Sequence, residues 1–211
     1  MGSGETVVFD LDGVLSRRDL LTAVVVARLR RRPVAAIGLL PTIARRTASR
    51  DPEHRAALGR RLFARAFAGD EVEQFRASAT TLGGTFAHWV IPDGAARFRA
   101  HRAEGATIAV ATASERNVVE GFLAAADLVP DVLLASEIAP TAPVRLASHL
   151  VGHAKLAALR SAGVPLESVR FYTDSIADLP VARAVGRTVL VNADPRTSHA
   201  FGDLEVDHVR W

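Results

Sequence analysis

Asp10 and Asp12 stand one residue apart where the apolar run Val7-Val8-Phe9 ends, and Gly13 after them allows a turn. Three later segments end in a similar way. Ile108-Ala109-Val110-Ala111 runs into Thr112, His153-Ala154 leads to Lys155, and Phe171-Tyr172-Thr173 stops at Asp174, with Asp178 following. This mixture of carboxylates, hydroxyl and ammonium suits phosphoryl transfer. A carboxylate is ionised at neutral pH, which makes Asp10 a nucleophile towards phosphorus and gives an aspartyl phosphate. Neighbouring carboxylates repel, so one holds its proton more tightly. Asp12 is thereby the acid that protonates the leaving oxygen and later the base that activates water. Mg²⁺ takes one or two carboxylates, waters and a phosphate oxygen, a set to which Asp10 and Asp174 contribute. Thr112 and Lys155 are the phosphate-binding pair, stabilising charge on the equatorial oxygens. Lys155 is the only lysine among 26 Lys and Arg residues, in a chain that otherwise uses arginine for positive charge.

In order and spacing, the four segments resemble the motifs of the haloacid dehalogenase-like superfamily: an aspartate pair, a Thr or Ser, a lysine and a second acidic pair. The specific parts are hydrophobic-Asp10-x-Asp12-Gly13-x-Leu15 and Asp174-Ser175-x-x-Asp178-Leu179-Pro180; Thr112 alone carries no signal. Gly152-His153-x-Lys155 and Val189-Leu190-Val191-Asn192 are similar to subfamily IB, the branch with phosphoserine phosphatase and bacterial phosphatidylglycerophosphatase C. The resemblance implies an Mg²⁺-dependent phosphomonoesterase working through an aspartyl phosphate. It adds the Asp12 backbone carbonyl to Asp10 and Asp174 as metal ligands and gives Asp178 the task of orienting Lys155 or a metal-bound water. Asp19 occupies the place of an acidic substrate contact in phosphoserine phosphatases, and serves equally well at a helix N-terminus. Ser114 reads as the cap of the following helix rather than a phosphate donor, and His153 as support for the loop presenting Lys155. One residue departs from the pattern. Val14 stands where many phosphatases of the family carry a threonine whose hydroxyl helps orient the acid.

Positioning these groups requires strand ends that meet. Strands are expected at about 6–10, 107–111, 132–135, 169–173 and 188–191, alternating with helices at about 93–104, 115–126, 153–162 and 177–185. That alternation gives an α/β fold, a Rossmann-like parallel sheet with helices on both faces, whose ligands lie beyond the carboxyl ends of the strands. Residues 14–92 show helical periodicity only, punctuated by Pro33, Pro41, Pro52 and Gly83-Gly84. They read as an inserted helical cap, of the C1 type by the resemblance, on a catalytic core of residues 1–13 and 93–211. Residues 137–152, with Pro140 and Pro143, are expected to form a short hairpin leading to Lys155.

Composition narrows the function further. The chain of 211 residues is 49% hydrophobic and has no cysteine, which excludes disulfides, thiol catalysis and cysteine metal sites. The seven histidines lack zinc-ligand spacing. The net charge of +3 hides an asymmetry: residues 14–91 hold 14 arginines against 6 acidic residues, so the remainder is net acidic. A basic insert points to an anionic partner. With 6% aromatic residues and no aromatic platform near the arginines, nucleic acid is not that partner. The apolar stretch from Val34 to Ala44, flanked by Arg28-Leu29-Arg30-Arg31-Arg32 and Arg45-Arg46, is too short to span a bilayer; it suits either packing onto the rest of the cap or peripheral contact with an anionic interface. The short polar start before Val7 has no secretory pattern, so cytoplasmic residence is expected, with peripheral placement at the inner membrane face through the cap. The substrate is expected to be a small-molecule or lipid phosphate; oligomeric state is not readable. Asp12 argues against a dehalogenase, and the absence of a lysine in the insert argues against a phosphonatase. The remaining alternatives are a sugar phosphomutase and a catalytically weak membrane-surface binding module.

Overall fold

A computed structural model describes residues 4–211, so the first three residues assigned to the core lie outside it. Six strands form one parallel sheet in the order β3-β2-β1-β4-β5-β6. They are β1 (Thr6–Phe9), β2 (Thr107–Glu115), β3 (Val132–Ser136), β4 (Val169–Thr173), β5 (Arg187–Val191) and β6 (Val206–Val209). The central strand β1 is buried on both faces, which its unbroken apolar sequence requires of a parallel strand covered twice. Val7 and Phe9 join the larger core, and Val8 the smaller one on the opposite face. Because the order reverses at β1, with β2 on one side and β4 on the other, a crevice opens at the carboxyl end of these three strands. Phe9 pairs with Val110 and with Tyr172, so Asp10 and Asp174 emerge at one edge of the sheet, beside the part of β2 that holds Thr112.

Nine α-helices complete the described chain. Between β1 and β2 come α1 (Leu20–Arg30), α2 (Pro33–Ala48), α3 (Pro52–Ala66), α4 (Val72–Thr85) and α5 (Pro92–Ala103). After β2 follow α6 (Arg116–Ala125), α7 (His153–Ser161), α8 (Leu179–Ala182) and α9 (Pro195–Ala200). Pro33 and Pro52 open their helices, where a missing N–H costs nothing. Pro41 lies inside α2, which nonetheless continues to Ala48. No described helix is long and apolar enough to cross a membrane.

Several local expectations are corrected. Gly83-Gly84 does not break the helix. α4 runs through it because Gly83 packs on the Val118 carbonyl of α6 while Gly121 packs on the Thr80 carbonyl, and a Cβ at either would overlap backbone. β2 extends to Glu115, and α8 is a single turn preceded by a 3₁₀ turn at Ile176–Asp178. β6 is an addition to the expected strands; Val206-Asp207-His208-Val209 is too short for a period-2 signal and is recruited by pairing with β5. Residues 137–152 contain a single antiparallel bridge, Ile138 with Leu146, in place of a regular hairpin.

Candidate active site

The last rung of β1 fixes the first carboxylate: the Asp10 N–H donates to the Tyr172 carbonyl at 2.9 Å, and its Oδ1 accepts from the Leu11 N–H at 2.8 Å. Gly13 then turns the chain in the left-handed region, φ +81°, with its N–H on the Ser16 carbonyl at 2.7 Å. This glycine has a second reason to lack a side chain, because a Cβ would overlap the Asp174 carboxylate. The Asp10-x-Asp12-Gly13 and Asp174 segments are therefore two halves of one packing arrangement.

Lys155 sits in the first turn of α7, where Gly152, at φ +57°, brings the chain round. His153 is exposed and gives that turn no support; the backbone makes it. The Lys155 ammonium, with 2% of the residue exposed, lies 3.1 Å from Asp10 Oδ1 and 2.8 Å from Asp178 Oδ1. Thr173 Oγ1 donates to Asp178 Oδ2 at 2.7 Å, so Asp178 is anchored and in turn anchors the lysine. Burial works against the lysine's charge, but Asp10 and Asp178 outweigh it and hold the ammonium above its usual value. Asp10 moves the other way. Burial raises its carboxyl well above the normal range, Lys155 opposes this, and Asp178, Asp174 and Asp12 add to it.

Asp12 is held on both oxygens. Oδ1 accepts from the Leu20 N–H at 3.0 Å, and Oδ2 from the Ser114 hydroxyl at 2.8 Å. Burial first, and the charge of Asp19 second, push its carboxyl up to about 8, so the proton is present at neutral pH. Ser114 also accepts the Leu21 N–H at 3.0 Å. It therefore does not cap α6; Glu115 does, accepting from the Val118 N–H. The sequence hides the role of Ser114 because nothing local distinguishes a cap serine from one aimed across the sheet at β1.

Asp10, Asp12, Asp19, Lys155, Asp174 and Asp178 all line one cavity of about 480 Å³. Thr112 does not. It is fully buried behind the wall, with its Oγ1 accepting the Ser114 N–H at 3.0 Å, and Ala113 and Ser114 face the cavity instead. Asp19 caps α1 through Oδ1, which accepts from the Thr22 N–H, while Oδ2 meets Arg46 at 3.5 Å. Five arginines (Arg17, Arg46, Arg50, Arg55 and Arg196) line the same cavity and set positive charge opposite its aspartates. His149 is a further wall residue that no sequence signal marks; its Nδ1 is buried without a partner. Burial first, then Arg60 and Arg46, lower its ring to about 4, leaving a neutral imidazole at the cavity.

Among the described residues no three His, Asp or Glu side chains converge into a metal cage. Asp174 is raised to about 7 by burial, then by Asp178, with Lys155 opposing. Asp10, buried, and Asp174, half-buried, are thus two carboxylates at one cavity whose charge the surroundings disfavour, the sparse hard-oxygen set that Mg²⁺ accepts together with water and phosphate.

The sequence profile of the haloacid dehalogenase-like hydrolases matches residues 7–183. The chain belongs to that family, and the matched span contains Asp10, Asp12, Thr112, Lys155, Asp174 and Asp178. Among solved structures it is similar to a Bordetella pertussis Tohama I protein of unknown function, at 18% identity and TM-score 0.70, with 97% of each chain covered. A second similar structure is a haloacid dehalogenase-family hydrolase of Salmonella enterica serovar Typhi, at 11% identity and TM-score 0.63, covering 99% of this chain and 68% of that one. A third is a phospho-aspartyl intermediate analogue of phosphoserine phosphatase, at 12% identity and TM-score 0.60, covering 98% and 94%. At these identities the likeness establishes the fold. No curated protein matches the chain in sequence.

Proposed function

We propose that this hydrolase is an Mg²⁺-dependent phosphomonoesterase acting through an aspartyl phosphate, on a small or lipid-linked phosphate. The observation that carries the reading is the Lys155 ammonium 3.1 Å from Asp10 at a cavity that Asp12 also lines, two residues further along a rigid turn. An Asp10 oxygen forms a bond to phosphorus, the ester P–O bond breaks, and Asp12 gives its proton to the departing alkoxide. A water then attacks phosphorus, Asp12 takes the water's proton, and the bond to Asp10 breaks to release inorganic phosphate. Lys155 stabilises charge on the phosphoryl oxygens, with Asp178 holding it in place, and Thr112 supports the adjoining β2 end through Ser114. Asp10, Asp174 and the Asp12 carbonyl would hold Mg²⁺, which when bound neutralises phosphate charge.

In the same reading, residues 14–92 serve as the cap and residues 1–13 and 93–211 as the catalytic core. Support comes from the arginines that α2 and α3, with the loop between them, turn towards the cavity, among them Arg46, Arg50 and Arg55. Asp19 is a substrate contact as well as a helix cap. The exposed apolar side chains of α2 favour peripheral contact with an anionic membrane surface. The test is turnover of p-nitrophenyl phosphate. Asp10→Asn should reduce it to background with an unchanged circular dichroism spectrum, a chelator should remove it, and Asp12→Asn should slow it by about 10²–10⁴-fold. Sustained turnover by Asp10→Asn would sink the covalent mechanism.

A further inference from the structure

A second cavity, of about 90 Å³, lies among α1, α2 and α3, with apolar walls from Val25, Leu29, Ile43 and Leu62. It shares Leu21, Arg46 and Gly59 with the main cavity. Leu21 places it on a particular side of the site. Its N–H donates to the Ser114 hydroxyl, and that hydroxyl donates to Asp12, the residue that must face the leaving oxygen. Leu21 thus lines both cavities while its backbone holds the serine that holds Asp12.

The passage between the two cavities has its own construction. Gly59 is buried within α3, where glycine costs about 1 kcal/mol relative to alanine, and the only atom near a Cβ built there is Arg46 Nε at 3.6 Å. Steric crowding does not demand this glycine, and its missing side chain leaves room at the wall that the two cavities share. Arg46 Nε is itself buried without a hydrogen-bond partner, although its Nη2 meets Asp19. A donor left unsatisfied at the mouth of an apolar cavity suits a substrate that presents an oxygen between its phosphate and its hydrocarbon.

Resting on the phosphomonoesterase reading, we infer that the 90 Å³ cavity is a subsite for the apolar chain of the leaving group, so that the substrate is a phosphomonoester of an alkyl or alkenyl alcohol. At about 30 Å³ per water-sized volume, the space admits a chain of roughly three or four carbons before the remainder must extend outward.

The probes are n-alkyl phosphates from ethyl to decyl below their micellar concentrations, with the matching n-alkyl phosphonates as non-hydrolysable ligands in calorimetry. Each added methylene should lower KM and tighten phosphonate binding by about 2- to 4-fold until the cavity is filled, then stop doing so. Ile43→Phe, which narrows the cavity from α2 at a residue outside the main one, should flatten the series while leaving ethyl phosphate turnover in place. Val25→Phe, which fills the cavity itself, should do the same, and melting curves establish that both variants fold. A flat series in the native protein overturns the subsite, as does a slope that persists in both variants. If ethyl phosphate is hydrolysed and the series is flat, the subsite alone is wrong. If no ester is hydrolysed yet phosphonate binding still rises with chain length, the hydrolytic reading fails and the subsite stands.

Discussion

The Ser114 hydroxyl donates to Asp12 Oδ2 at 2.8 Å, from the far end of β2, and accepts the Leu21 N–H at 3.0 Å. Val14, the residue where a threonine would offer its hydroxyl to the acid, is fully buried in the apolar core. The hydroxyl on Asp12 thus comes from a neighbouring strand.

Removing it should slow the step that needs the acid. A hydrogen bond to a neutral carboxyl contributes about 0.5–1.5 kcal/mol, so Ser114→Ala should lower kcat by about 2- to 10-fold on alkyl phosphates. The loss should shrink on p-nitrophenyl phosphate, whose leaving group hardly needs a proton, and Ser114→Thr should recover much of the activity. Equal losses on both substrates in the burst that releases the alcohol or nitrophenol, the step that precedes attack by water, would show that Ser114 merely holds the wall of the site.

Gly13 carries a comparable constraint. Alanine there must adopt a left-handed conformation costing about 1–2 kcal/mol and must also displace the Asp174 carboxylate. Gly13→Ala should lower the melting temperature by several degrees, at about 2–4 °C per kcal/mol for a chain of this size. It should also raise the Mg²⁺ concentration needed for half-maximal turnover. An unchanged Mg²⁺ titration would separate Asp174 from the metal.

Much of the α/β core is legible in the sequence because its strand and helix signals are local. Val7-Val8-Phe9 and Ile108 to Ala111 announce buried strands, and the residues after them announce the site. What stays hidden depends on partners distant in sequence. Ser114 looks like any helix cap until β1 lies beside β2. Gly83-Gly84 looks like a break until α6 presents Gly121 and the Val118 carbonyl. β6 exists only because β5 offers an edge, and His149 has no motif around it. Thr112 lies inside β2, which runs on to Glu115, and is buried behind the wall that Ala113 and Ser114 form, a difference that sequence alone does not show.

His149 gives a measurable pH signature. Its ring titrates at about 4 in the folded protein, below the ordinary histidine value of 6.5, because burial and then the charges of Arg60 and Arg46 disfavour the cation. The unfolded chain therefore binds this proton first as pH falls. The stability contribution is full above about 6.5, declines through the window down to about 4, and is gone below it. At about 1.4 kcal/mol for each pH unit of that window, the loss is on the order of 3 kcal/mol. Carboxylates titrate in the same window, so the comparison is with His149→Gln. Denaturant unfolding at about pH 7 and about pH 4.5, on either side of most of that window, should show a smaller decline for the variant. Identical declines would mean that the ring protonates freely in the folded state.

The face of α2 permits the last test. Val34, Ile37 and Leu40 are 83%, 67% and 58% exposed, spaced to share one side of the helix. Arg28 and Arg32 pair with Asp70, and Arg46 with Asp19, whereas Arg30, Arg31 and Arg45 are exposed and make no ion pair among the described residues. An apolar strip beside free guanidinium groups suits an anionic bilayer surface, where each cation contributes about 1 kcal/mol and the attraction is screened over roughly 10 Å at about 0.1 M salt. Flotation with vesicles containing anionic lipid should capture the protein at low salt and release it as salt rises. Replacing Arg30, Arg31 and Arg45 with Gln should weaken capture by about 100-fold, and Ile37→Ser with Leu40→Ser should weaken it without changing the salt dependence. Turnover of a soluble ester should be unaffected by either set, since none of these residues lines the main cavity. Capture that is equally weak for native and substituted proteins at low salt would leave the α2 face without a role at a membrane.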